Sequence, residues 1–264
     1  MDKFVNTLYI PVIGLDRSKE RISSVVNYKS QGRIESNVCA LRVTEQDFMQ
    51  YELVADEIDE VLSSCLEVFH SYHLIIDNRV CGEDAVKIAD SIVEFIDKIK
   101  REWPFAEVIV TGSSIPASIR DLLPPSSEAV VLRKEITIAR LVNKKIRTHI
   151  GDYACVSPDY SDIEVSGGVI RRVTAPKLFY PFDNSSLFIV RGGALDNHPR
   201  GSKQYEDLAH DLILKSYYRG ATYSFGDEYL HRKSQGLGKD ATPSTVPKPL
   251  VNLHMVYMMN DFIL

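Results

Sequence analysis

Apolar and polar residues along this chain follow two alternating periods. Short apolar runs at 9–14, 38–43, 72–77, 107–112, 129–133 and 146–154 read as strands buried on both faces of a sheet. Between them, apolar residues recur three and four apart, the spacing of one helical face. Such stretches cover 18–28, the segment through Val54, Ile58, Val61, Leu62, Cys65, Leu66 and Phe69, and the segment through Ala85, Ile88, Ala89, Ile92, Phe95, Ile96 and Ile99. The last of these carries Asp90, Glu94, Lys98 and Arg101 on its outer side. Trp103-Pro104 stops it, because proline cannot continue a helix. Two more helical stretches, 115–123 and 135–143, flank the hard break at Pro124-Pro125.

Strands and amphipathic helices alternating every ~30 residues predict βα units on a parallel sheet. The fold class is therefore α/β, either a closed (β/α) barrel or a doubly wound open sheet. No G-x-G-x-x-G follows the first strand, which favours a barrel-like arrangement, incomplete or open, with β-rich C-terminal additions. Residues 1–158 hold the repeated βα units. Residues 159–264 are expected to complete the same domain with short β segments at 169–174, 177–180 and 187–190. From Leu187 to Asp227 the chain runs from strand through Arg191-Gly192-Gly193 and a polar loop to Ser202, placed to cap a helix through Tyr205, Leu208, Leu212 and Tyr217. Ser224 to Asp227 reads as a polar turn, 231–249 as a long loop, and 250–264 as a closing strand.

Composition changes little in this picture. With 264 residues, 44% of them apolar and 25% charged, the chain can bury a full core. A net charge of −5 offers no global field for coating nucleic acid, so contact with a nucleotide or nucleic acid needs a local basic patch. Cys39, Cys65, Cys81 and Cys155 form no C-x-x-C pair and read as small buried hydrophobes. The first residues hold no apolar leader, and no run approaches the ~18 apolar residues of a membrane span. A cytoplasmic protein with no membrane partner is expected.

Candidate chemistry lies at the carboxyl ends of the expected strands, where ligands bind in parallel α/β folds. Arg42, Arg133 and Arg191, with Gly192, Tyr153, His198 and His254, are candidate ligand-binding residues, because guanidinium groups clamp phosphate through paired hydrogen bonds. Asp77, Glu135, Asp152 and Asp227 are candidate acid–base groups or oxygen ligands for Mg²⁺. The competing reading of the same residues is structural: ion pairs and turns also concentrate at strand ends. The glycine loop before a helix N-terminus is a further candidate anion site.

Other motifs are weaker. Gly236-Leu237-Gly238-Lys239 resembles the tail of a phosphate loop, but Asp240 replaces the Mg²⁺-holding Ser or Thr. Gly112-Ser113-Ser114 lacks the spacing of a nucleophile elbow. The seven histidines show no zinc-ligand spacing. Tyr217, Tyr218 and Tyr223 are placed either to stack on bases or to fill a core.

Several short motifs carry a family resemblance through their order: Ile10-Pro11-Val12-Ile13, Ala40-Leu41-Arg42, Leu74-Ile75-Ile76-Asp77, Arg133-Lys134-Glu135 and Gly151-Asp152-Tyr153, then Ile189-Val190-Arg191-Gly192, Tyr223-Ser224-Phe225-Gly226-Asp227 and Asn252-Leu253-His254. Over residues 9–257 the chain resembles the beta family proteins (protein beta) of bacteria, prophages and phages. The resemblance implies a barrel-type α/β protein with a link to mobile elements or phage defence. Two departures stand out: the chain begins well inside the longer family layout, and Met255 follows His254 where an aromatic and a second histidine are expected. Two functions follow as expectations. One is metal-assisted phosphoester chemistry on a nucleotide or nucleic acid. The other is a non-catalytic module that senses a ligand or holds a protein partner.

Overall fold

The computed structural model describes residues 8–159 and 174–264, and the chain divides into two compact units. The first comprises Met1–Gly112 and Thr137–Asp152, the second Ser113–Ile136 and Tyr153–Leu264. The β segment expected at 169–174 lies, except for Thr174, outside the described residues.

A five-stranded, mostly parallel sheet organises the first unit: β1 (Val12–Gly14), β2 (Val38–Thr44), β3 (Ser71–Val80), β4 (Phe105–Ser113) and β6 (His149–Asp152), in the order β1-β2-β3-β4-β6. The β1–β2, β2–β3 and β4–β6 pairings are parallel. Helices α1 (Lys19–Ser30), α2 (Glu45–Phe48), α3 (Tyr51–Ser63) and α4 (Ala85–Glu102) connect them. Leu41, Leu74, Ile76 and Val110 from the strands are buried, as are Ile58 and Leu62 of α3 and Ile92, Phe95 and Ile96 of α4. Asp84 caps α4 by accepting the Lys87 amide hydrogen, and Lys100 and Arg101 complement the dipole in its last turn.

The expected helix through Val54 and Phe69 is α3, but it stops at Ser63 and leaves Cys65, Leu66 and Phe69 in the turns that follow, while the short α2 precedes it. Thr44 and Asp47 bond each other's backbone in a capping box, so a new helix starts directly at the end of β2. Gly14 permits the close approach of β1 to β2, since a Cβ there would sit 2.9 Å from the Arg42 carbonyl oxygen. Because β1 and β6 are sheet edges, the described strands do not close, and a barrel is not what they form.

The second unit contains an antiparallel sheet of β5 (Ser127–Leu132), β7 (Lys177–Pro181) and β8 (Ser186–Arg191), with β8 in the middle. The strand expected at 129–133 as a fifth parallel member is thus an edge of a different sheet. Its side chains alternate between half-buried and exposed, as suits an edge with one covered face. Leu178, Tyr180, Leu187, Phe188, Ile189 and Val190 form the core with Tyr205, Leu208, Leu212, Leu230, Leu250 and Leu253. Helix α5 (Lys134–Asn143) begins in this unit and ends in the first.

Four expectations fail here for local reasons. Residues 115–123 form only a short 3-10 turn at Ile119–Asp121. Ser202 lies in another 3-10 turn, Gly201–Lys203, and does not cap α6 (Gln204–Ile213), which ends before Tyr217. Ser224 caps α7 (Phe225–Ser234), so the expected polar turn is a helix start and the expected long loop loses its first four residues to that helix. The C-terminal segment is α8 (Pro247–Asn260) rather than a strand. Its buried Leu250, Leu253, His254 and Tyr257 keep helical spacing, and proline occupies the favoured first turn.

Candidate functional site

At the carboxyl ends of the parallel strands, Arg42 and Asp77 come together. Arg42 Nε and Nη2 both reach Asp77 Oδ2 at 2.8 Å, and Nη1 reaches Asp16 Oδ2 at 2.9 Å. Asp77 is 1% exposed, and its second oxygen accepts the Arg79 amide hydrogen at 2.8 Å. Arg79 takes a positive φ of 51°, so the chain kinks immediately after this carboxylate. The buried Asn78 donates to the Thr111 carbonyl oxygen at 3.0 Å, while its own Oδ1 accepts no hydrogen bond among the described residues. Asp152 ends β6 opposite Gly112 and is half-buried. Sequence reasoning missed Asp16 and Asn78, although Asp16 directly follows a strand exit. The donors of Arg42 are turned onto carboxylates, which removes most of its attraction for phosphate.

In the second unit Arg133 and Glu135 also pair. Arg133 Nε lies 2.9 Å from Glu135 Oε1, both side chains are buried, and Ser114 donates to the other Glu135 oxygen. The Arg133 guanidinium also meets Met258 Sδ at 3.4 Å and lies 6.0 Å from the Phe262 ring centre. The Ser114 hydroxyl in turn accepts the Lys134 amide hydrogen at 2.6 Å, so the start of α5 is tied to this pair. Tyr153, half-buried, accepts at its carbonyl from the Val156 amide at 3.1 Å.

The glycine loop brings Arg191, Gly192 and His198 to one place. Its amide hydrogens are already used: Gly192 donates to the Pro176 carbonyl at 2.8 Å and Gly193 to Gln204 Oε1 at 2.8 Å. His198 accepts the Arg200 amide hydrogen at 3.2 Å. A cavity of 280 Å³ beside the loop is lined by Arg191 and Gly192 together with His198, Glu128, Asp207 and Asp211. Spent donors and an acidic wall make the loop itself a poor phosphate cradle.

Arg191 differs from the other two arginines. It is 4% exposed, and Nη1 donates to the Leu123 carbonyl oxygen, while Nε finds no partner. No carboxylate pairs with it among the described residues. Burial lowers its pKa, and the nearby charge of Arg120 lowers it further. Strand alternation puts its side chain on the Ile189 face, away from Val190. In register on the same face are Ser127 of β5 and Lys177 of β7. Lys177 also has no carboxylate partner among the described residues, and its ammonium lies 5.7 Å from the Phe179 ring centre. Burial depresses its pKa and Arg191 adds to that, against the opposing pull of the Cys155 thiol. Sequence reasoning missed Lys177. The signal was available as the first residue of a short strand next to Pro176, but not its cross-strand partner.

Asp227 stands apart from these charges, buried in the third position of α7. Tyr180 donates to Oδ1 at 2.7 Å, Ser224 donates to Oδ2, and the Ser224 oxygen accepts the Asp227 amide hydrogen at 3.0 Å. The Asp227 carbonyl accepts from Tyr218 at 2.9 Å. Tyr180 sits under Arg219, whose guanidinium is also stacked on Tyr223 and Tyr257, at 4.9, 5.1 and 4.3 Å from the three ring centres. The arrangement is that of a packed polar core, not of an exposed base-stacking platform. His254 is buried within α8. Among the described residues no three His, Cys, Asp or Glu side chains gather as metal ligands, and no helix is long and apolar enough to cross a membrane.

Comparison with known proteins adds one result. The model of a family described as Beta protein matches residues 1–260. No curated protein and no solved structure matches.

Proposed function

The chain belongs to the Beta protein family, and from that premise we propose that it binds a phosphate-bearing ligand, nucleotide or nucleic acid, through Arg191. One observation carries this reading: a guanidinium 4% exposed, with an idle Nε and no carboxylate among the described residues. An uncompensated buried charge costs several kcal/mol (roughly 3–5), and a bound anion removes that cost. Arg42 and Arg133 lack this property, because each is paired with a carboxylate. The role is binding or sensing rather than metal-assisted phosphoester cleavage, since the described carboxylates do not assemble a ligand set.

Calorimetry with inorganic phosphate and with AMP tests the proposal. The wild-type chain is expected to bind both, and Arg191→Gln to lose about tenfold or more in affinity, as removal of a charge-assisted pair does. Equal binding by wild type and Arg191→Gln sinks it. The resemblance to the beta family implies a setting in phage defence. A deletion strain that plates phage no better than its parent counts against that.

A further inference from the structure

Building on the Arg191 reading, we propose that the seat recognises the dianionic terminal group of a phosphate monoester, with Lys177 as its second cation. Gly192 donates to Pro176, which makes 192 and 176 a hydrogen-bonded pair of the β7–β8 ladder. Arg191 and Lys177, one step inward, are therefore a non-hydrogen-bonded pair, whose Cα atoms lie about 4.5 Å apart with side chains at closest approach. Like charges directly opposite each other destabilise a sheet. Neither Arg191 nor Lys177 forms an ion pair with a carboxylate among the described residues. One negative charge leaves this group under-compensated. A terminal phosphate carries about two charges near neutral pH and three non-ester oxygens, enough to accept from a guanidinium and an ammonium together. A backbone phosphodiester carries one charge and two such oxygens.

The monoester has two sources, a free small molecule or the 5′ end of a nucleic-acid chain. Calorimetry on the full chain with methyl phosphate, dimethyl phosphate, AMP, and an oligonucleotide with and without a 5′-phosphate separates them. Methyl phosphate is expected to bind about tenfold or more tightly than dimethyl phosphate. Its affinity should fall about tenfold from about pH 7 to about pH 5, as a phosphate with second pKa near 6 takes up a proton. Lys177→Met should erase the monoester preference and Lys177→Arg should keep it, with circular dichroism showing both variants folded. Preference for AMP alone identifies a small-molecule ligand. A matching preference for the 5′-phosphorylated oligonucleotide identifies a chain end. Equal binding of methyl and dimethyl phosphate overturns this inference and leaves the Arg191 reading standing. Binding of neither, with AMP also silent, overturns both.

Discussion

Three arginines at strand ends look alike in sequence, and their partners make them different. Arg42 serves Asp77, a carboxylate 1% exposed. Truncating Arg42 to Met strands that buried charge, a loss of roughly 3–5 kcal/mol by analogy with other broken buried pairs. Arg42→Met is thus expected to lower stability strongly in urea unfolding while leaving phosphate affinity intact. Pairing it with Asp77→Leu should recover much of the loss, and a double variant as unstable as the single would show that the pair is not what matters. Lys177 behaves in the opposite sense. Its folded-state pKa is depressed by burial and by Arg191, so the unfolded chain holds this proton more tightly and stability rises with pH through the window just below the usual lysine value. Lys177→Met removes both the repulsion and that dependence. The variant is expected to be more stable than wild type near neutral pH, with the difference shrinking as the pH climbs toward 10.5, the unperturbed value. A variant less stable at neutral pH would mean that Lys177 packs rather than repels.

At the scale of elements, the parallel sheet and its helices were legible because their signals are local. Continuous apolar runs marked β2 and β3, and an unbroken 3.6-residue period marked α4. What failed depended on partners far away in sequence. β5 was read as one more parallel strand, because nothing in Ala129-Val130-Val131 names the antiparallel β8 that it joins. Two helices, α7 and α8, were hidden by composition: the first is polar with a glycine second, and the second is apolar on nearly every side, so no polar face marks a helical period. The site was legible to the same degree. Arg191 and Gly192 were named as one segment, while Lys177 required the β7–β8 register. Gly226 shows why α7 tolerates its glycine. A Cβ there would meet the Pro249 carbonyl oxygen and sit 2.7 Å from Leu253 Cβ, so α7 and α8 touch through it. Gly226→Ala gains helix propensity of about 1 kcal/mol but must push the helices apart, at a typical overpacking cost of 1–3 kcal/mol or more for a rigid backbone contact, about enough to reverse the sign. Net destabilisation in thermal unfolding is the expected result, and an unchanged or raised melting temperature would mean that α8 moves freely.

For the whole molecule, the tyrosines tie stability to alkaline pH. Tyr51 and Tyr72 in the first unit and Tyr217, Tyr218 and Tyr223 in the second are each pushed up to about 12, with burial as the largest cause. Tyr51 also donates to Glu102 at 2.8 Å and Tyr223 to Asp261 at 2.8 Å, and ionisation would turn both contacts repulsive. A phenol whose folded-state pKa exceeds its unfolded value contributes stability that is complete below the unfolded value and is lost as the pH rises through the folded one. The window runs from the ordinary tyrosine value of 10.0 to about 12. Each of the two units holds such groups, so neither is expected to outlast the other by a wide margin. Tyrosinate absorbance should therefore rise late and together with the loss of helical circular dichroism, in place of a smooth titration centred on 10. If the phenols ionise near 10 while the dichroism stays constant, they are in contact with water, and the aromatic packing around Arg219 in the second unit is looser than the contacts of Tyr180, Tyr223 and Tyr257 require.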